Sequence, residues 1–206
     1  DEPEKPARHP ELCGLDEKLY ISPAVALSEA SKAIAFMGTV AQTNFRRCVR
    51  QLVSFDPALS ADIDEDESEL DMFSDKADHF LIGLSKAVET DTDNRQLDML
   101  LQTIPSFERI GDYATNLEEI GEKMHAEGTN FSEKAIRELD VLTSAVDDIL
   151  TTTIQALTEN DSELAKTIEP LEEVIDDMVR LLKDRHTKRL KNGSCSITSG
   201  LIFIDA

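Results

Sequence analysis

Tryptophan is absent from these 206 residues, and only two tyrosines and eight phenylalanines are present. A core here must therefore be built from aliphatic side chains. Cations are scarce as well: 21 Lys and Arg stand against 42 Asp and Glu, a net charge of −21. That balance disfavours nucleic acid and anionic membrane surfaces as partners, because both need a basic patch. It favours cations or basic proteins. The three cysteines, Cys13, Cys48 and Cys195, are widely spaced and form no CxxC pair, which excludes a zinc ribbon and a dithiol redox motif. Unpaired thiols suit a reducing compartment. No signal peptide is visible, since the chain opens Asp1-Glu2-Pro3-Glu4. No apolar run approaches the roughly 18 residues of a spanning helix. The longest uncharged run, 33–45, is interrupted by Gly38, Thr39, Gln42, Thr43 and Asn44. On these grounds the chain reads as soluble. Nucleophile motifs, a P-loop and a GxGxxG run are all missing, and no residues are set for acid–base chemistry, so it reads as non-catalytic.

What is present is helical periodicity. Residues 1–22, rich in charge and proline, read as a flexible linker or arm. Ser22-Pro23 is a helix start, with a serine cap and proline in the first turn. The first helix spans about 23–53, with Leu27, Ala30, Ile34, Met37, Ala41, Cys48 and Leu52 on one face. A connection at 54–62 leads to a second helix at about 63–90. A third covers about 94–126, inward on Leu100, Ile104, Phe107, Ile110, Ala114, Leu117 and Met124. Pro105 should kink it and Gly128 should end it. Helices at about 132–158 and 161–191 follow, and 199–206 reads as the start of another. The order gives an all-α fold of two pseudo-repeated three-helix bundles, 23–128 and 129–206, the second incomplete at its last helix.

Acidic residues recur four apart on these helices: Glu67, Asp71 and Asp75 on the second, Glu172 and Asp176 on the fifth, Glu108 and Asp112 on the third. Residues so spaced share a face, and like charges there repel unless a cation lies between them. Take Phe107 as the zero of a wheel at about 100° per residue. Ile110, Ala114 and Leu117 then fall within about 80° of it on one side. Glu108, Asp112, Asn116 and Glu119 lie at about 100–180°, away from the core. That stripe is either a solvated face or a surface metal site. Gly111, between the two carboxylates, costs about 1 kcal/mol against alanine. It marks either close approach of a neighbour or ligand, or ordinary helix contact.

The run Glu108-Arg109-Ile110-Gly111-Asp112-Tyr113-Ala114-Thr115-Asn116-Leu117 resembles the signature helix of PhoU-type phosphate regulators. It is most similar to the cytoplasmic PhoU-like domain of bacterial sodium/phosphate cotransporters. The similarity extends from Leu15, through Ser22–Leu27, to Asp184–Leu190 and Cys195. Tyr113 stands where many relatives have histidine. The resemblance implies that acidic E/D-x-x-x-D motifs hold clustered metal ions on a helical bundle. Asp71, Asp75, Glu108 and Asp112 would then form a complete cluster. Glu172 and Asp176 would be a half-site, because the family's next motif follows the run Gly200–Ala206, where this chain stops. Carboxylate oxygens suit Mg, Ca, Mn or ferric iron, with Zn a further candidate.

The remaining motifs are weaker. Arg109 is placed to hold an anion such as phosphate or to pair with a carboxylate. Glu122-x-x-His125 has the ExxH form of di-iron sites, but those need two such motifs in mid-bundle. His9, His79 and His186 read as arm, surface or packing residues. The function implied by the resemblance is a non-catalytic regulatory domain of phosphate transport, cytoplasmic and attached to an inner-membrane transporter. Its partner would be the membrane transport domain or a phosphate-signalling protein, with a second copy of the chain a further candidate. A free-standing PhoU-like regulator is the alternative, and a helical di-iron enzyme the third reading.

Overall fold

The computed structural model describes residues 8–192. It is all-α, with no strand among the described residues. Helix α1 (Pro23–Gln51) is followed by α2 (Pro57–Leu84), α3 (Asp91–Glu127), α4 (Glu133–Glu159), the single turn α5 (Ser162–Ala165) and α6 (Ile168–Lys191). The expected sixth long helix, 199–206, lies outside the described residues.

Local chemistry accounts for the boundaries. Asp56 accepts a hydrogen bond from the Ala58 amide and Pro57 occupies the first helical position, so α2 begins six residues before the expected start. Thr90 caps α3 through the Asp93 amide, and Ser132 caps α4 through the Ala135 amide. Gly128 ends α3 in the left-handed region, with φ of 63°. Pro105 lies within α3, which runs unbroken through it. The stretch expected as one helix over 161–191 is split: Asp161 caps a single turn, and the chain re-enters helix only at Ile168.

Helix α1 is the centre of the bundle. It packs along α3 and also touches α2 and α4. The main core joins Leu27, Ile34, Met37 and Ala41 of α1 to Leu70, Phe73, Leu81 and Leu84 of α2 and to Leu100, Ile104 and Phe107 of α3. By length and composition α1 could cross a membrane, with an 18-residue window of mean hydropathy 1.2. The exclusion of a spanning segment from apolar run length alone was therefore too strict. Packing accounts for that apolarity instead, because Ala26, Leu27, Ala30, Ile34, Met37 and Ala41 are all buried in the core. Helix α4 joins this unit through a polar seam. Gln42 Nε2 donates to the Asp147 carbonyl at 3.0 Å and to Thr151 Oγ1 at 2.7 Å, and Arg46 donates to both Asp147 oxygens at 2.5 and 2.9 Å. Helix α6 packs on α4, where Arg189 meets the buried Glu138 at 2.7 Å.

The expected flexible arm differs from Arg8 onward. Residues 8–22 form two 3-10 turns, Pro10–Cys13 and Glu17–Ile21, and bury Leu12 and Leu15 in the main core. Tyr20 donates its hydroxyl to the Phe80 carbonyl at 2.9 Å. The segment is a strap held on α2. Glu69 accepts the backbone amides of Arg8 and His9 at 2.7 and 3.1 Å. The Arg8 guanidinium reaches Asp62 at 3.1 Å and Glu65 at 2.7 Å. Asp66, 2% exposed, gathers Arg8 at 3.1 Å, His9 Nε2 at 3.0 Å and Arg47 of α1 at 2.6 Å. Composition misled here, because Arg8 is neutralised by an acidic helix face while Leu12 and Leu15 anchor the segment in the core.

Of the described cysteines, Cys13 is exposed and Cys48 buried, and neither is bonded. Burial pushes the Cys48 thiol up to about 12, with Glu118 and Glu67 adding to the rise. Thiolate is the reactive form. We therefore expect a maleimide or iodoacetamide reagent to modify Cys13 within minutes and Cys48 only after denaturation. Peptide mapping by mass spectrometry separates the two, and rapid native labelling of Cys48 would contradict this packing.

Candidate functional site: a carboxylate cluster between α2 and α3

The acidic residues of α2 and α3 meet where the two helices pack. Glu67 is the innermost. It points at Gly111 of α3 so closely that a Cβ built on that glycine would lie 2.6 Å from Glu67 Oε2. Both Glu67 oxygens are buried and without a hydrogen-bond partner. The close approach anticipated for Gly111 is thus real, and the group that approaches is a carboxylate of the neighbouring helix. Alanine at Gly111 would require the Glu67 head to move.

Around this floor stand five further carboxylates. Glu108 is half-buried and accepts the Ser74 hydroxyl at 2.7 Å. Asp71, Asp75 and Asp112 are exposed at the rim, and Asp78 is half-buried beside them. Electrostatics shows that they share one field. Burial, then the neighbouring Asp71, Asp112 and Glu108, raise Glu67 to about 7. Asp71 is raised by burial and by Glu108, Asp112 and Asp75. Asp78 is raised by burial and by Glu108 and Asp75. Each of these carboxyls holds its proton more tightly first because it is buried and then because its neighbours are anions.

Of the residues singled out from the sequence, Asp71, Asp75, Glu108 and Asp112 are brought together, and the reasoning missed Glu67 and Asp78. Glu67 carried a readable signal, the same four-residue spacing as Asp71 and Asp75. Its burial comes from Gly111 across the helix interface, which spacing cannot reveal. The expected convergence on one ion position is not found: among the described residues no three Asp, Glu, His or Cys side chains are arranged to hold a single ion. Like charges on facing helices repel and turn apart. Glu172 and Asp176 stand exposed on α6 and take no part in the α2–α3 cluster. His125 stacks on Phe55 with ring centroids 5.2 Å apart, a packing role. Arg109 is exposed and makes no ion pair among the described residues.

The donor set suits a hard cation. Carboxylate oxygens are the donors that Mg, Ca, Mn or ferric iron prefer, although as placed no three of them meet at one ion position among the described residues. The two unpartnered buried oxygens of Glu67 are the specific fit, since a buried charge normally has a partner.

Residues 34–120 match the sequence model of the PhoU domain family. The match takes in most of α1, all of α2 and most of α3, and so contains the whole carboxylate cluster. It supports a PhoU-like domain over that stretch, and with it a phosphate-related regulatory role. Such domains are generally non-catalytic and act through protein–protein contact. No curated protein matches the chain, and no solved structure does.

Proposed function

We propose that this chain is a regulatory domain of phosphate transport, the cytoplasmic PhoU-like part of a sodium/phosphate cotransporter, and that it binds hard cations at the α2–α3 carboxylate cluster. The observation that carries the cation reading is Glu67: a buried, unpartnered carboxylate over Gly111, surrounded by Asp71, Glu108 and Asp112. A cation would supply the missing partner for Glu67 and neutralise the surrounding repulsion. The residues that would hold it are Glu67, Asp71, Asp75, Glu108 and Asp112. Ser74 keeps Glu108 turned into the interface. Regulation would follow from the charge and shape of this acidic face as read by a membrane transport domain.

Elemental analysis of protein purified without chelator tests the cation reading. Wild type should carry bound Mn, Fe, Zn, Mg or Ca. Asp112→Asn should carry less, with stability in chelator changed by less than about 0.5 kcal/mol, because it removes one of a repelling i,i+4 pair. Equal metal in both proteins would leave the cluster as a solvated face. The transporter reading is tested on the coding sequence ahead of Asp1 and by phosphate uptake. Apolar segments of about 20 residues there, and uptake altered by Asp112→Asn, support it. Their absence favours a free-standing regulator.

A further inference from the structure

Charge is spread unevenly along this acidic chain. From Arg180 to the end of α6 at Lys191, six residues are Lys or Arg and one, Asp184, is acidic, a local charge of +5 in a chain of −21. The first part of α6 is the reverse, with Glu169, Glu172, Glu173, Asp176 and Asp177 and no cation. The helix dipole favours cations in the last turn, so it does not account for Arg180, Lys183 and Arg185. Beside this basic stretch, α4 and α6 leave an open groove of about 310 Å³ between them. Val141, Leu181 and Leu182 form its floor, and Lys134, Arg137 and Arg185 its rim. Val141 is 60% exposed and Leu181 48%. Exposed Leu171 and Val174 continue the same stripe along α6. A single exposed aliphatic residue means little, but a recessed apolar strip with a polar rim marks an interaction surface.

We propose that the α4–α6 groove docks an amphipathic helix of a partner protein, one whose apolar stripe is flanked by Asp and Glu. This rests on the reading of the chain as a regulator that acts through protein contact, and it makes no use of the cation cluster. The floor receives the partner's apolar stripe, as in other helix-in-groove complexes, and the three rim cations face its carboxylates. Arg137 can turn to a new partner at little cost, because its pair with Glu133 is long, at 3.6 Å, and lies in solvent. Charge decides among the possible occupants. A second copy laid on this face by a two-fold axis would bring Lys134, Arg137 and Arg185 against the same three cations. Residues 193–206 of the chain itself carry one carboxylate, Asp205, to set against three cations. An anionic membrane is flat where this floor is recessed, and it would meet the field of a chain of −21.

Peptide binding to the full chain, read by fluorescence anisotropy, tests this. The probe is a labelled helical peptide of about 18 residues, with leucine at i, i+3, i+4 and i+7 spacing and glutamate on both flanks. A second peptide carries lysine in place of each glutamate. General attraction to a chain of −21 favours the lysine peptide, so the groove predicts the opposite order. The glutamate peptide should bind wild type at least about tenfold more tightly than the lysine peptide. Lys134→Glu combined with Arg137→Glu should reverse that order. Leu181→Asp should weaken the glutamate peptide at least about tenfold. Ile82→Asp, at an aliphatic position of α2 that is 58% exposed, should leave its binding unchanged. Tighter binding of the lysine peptide to wild type, or equal losses in Leu181→Asp and Ile82→Asp, would overturn the docking site. So would glutamate-peptide binding that appears only in Phe203→Asp, which would make residues 193–206 the occupant. A wild-type dimer in sedimentation that Leu181→Asp dissolves would make the occupant a second copy, and capture by phosphatidylglycerol vesicles that is lost in Lys134→Glu would make it a membrane. Peptide binding in the predicted order, with phosphate uptake unaffected by Asp112→Asn, would uphold the docking site and count against the transport reading alone.

Discussion

Replacing Asp66 with alanine is expected to destabilise the fold by about 2–4 kcal/mol, read as the loss of unfolding free energy in a urea titration. Asp66 is almost fully buried and joins three partners from two places, the Arg8 guanidinium and the His9 ring of the strap and the Arg47 guanidinium of α1. Removing one member of a buried ion group leaves the others desolvated without a partner, a cost of about 3–5 kcal/mol in fully buried cases. The cations here are partly exposed and can recover some hydration, which sets the lower range. Arg8→Ala, by contrast, should cost less than about 1 kcal/mol, because Arg8 is about a third exposed and its carboxylates can turn to water. Equal losses in the two variants would mean that Asp66 is not the hub of the strap.

The second large effect concerns Glu67 and has a sign set by pH. In the folded chain its carboxyl is raised to about 7 from the ordinary 4.5. The unfolded chain thus loses this proton near 4.5, while the folded chain keeps it until about 7. Its contribution to stability is therefore fully present below about 4.5 and is lost as pH rises through about 7. Glutamine cannot ionise and escapes that loss. In chelator at pH 8, Glu67→Gln should be more stable than wild type by about 1–2 kcal/mol, after allowing for solvent screening of a half-buried side chain. At pH 4 the two should be alike. The same variant should bind Mn at least tenfold more weakly, since it removes the innermost donor. A wild type as stable as Glu67→Gln at pH 8 in chelator would show that Glu67 reaches water.

The helices were legible because their apolar residues recur at helical spacing. Leu27, Ile34, Met37 and Ala41, predicted to face inward, are all buried. The start of α2 was missed because Asp56-Pro57 precedes an acidic run in which apolar periodicity begins only at Ile63. A capping signal was present, but no hydrophobic signal supported it. The break between α5 and α6 was hidden for the opposite reason: Leu164, Ile168 and Leu171 keep helical spacing across the Lys166-Thr167 turn. At the candidate site, spacing placed Asp71 and Asp75 on one helix and Glu108 and Asp112 on another. It could not say which turn of α2 faces Gly111, and that contact decides which carboxylate is desolvated. The strap was illegible because its partner, the outer face of α2, lies more than fifty residues away in the chain.

So dense a run of anions along α2 also has a consequence for the solvent around the protein. Repulsion among these carboxylates acts over the screening distance of the medium, about 30 Å in 10 mM salt and about 8 Å at 0.15 M. Raising the ionic strength therefore relieves more repulsion in this helix than it weakens in the few attractive pairs, and thermal unfolding should move to higher temperature as sodium chloride is added. Dilute buffer containing a chelator is the harshest medium for this fold, and moderate salt the milder one.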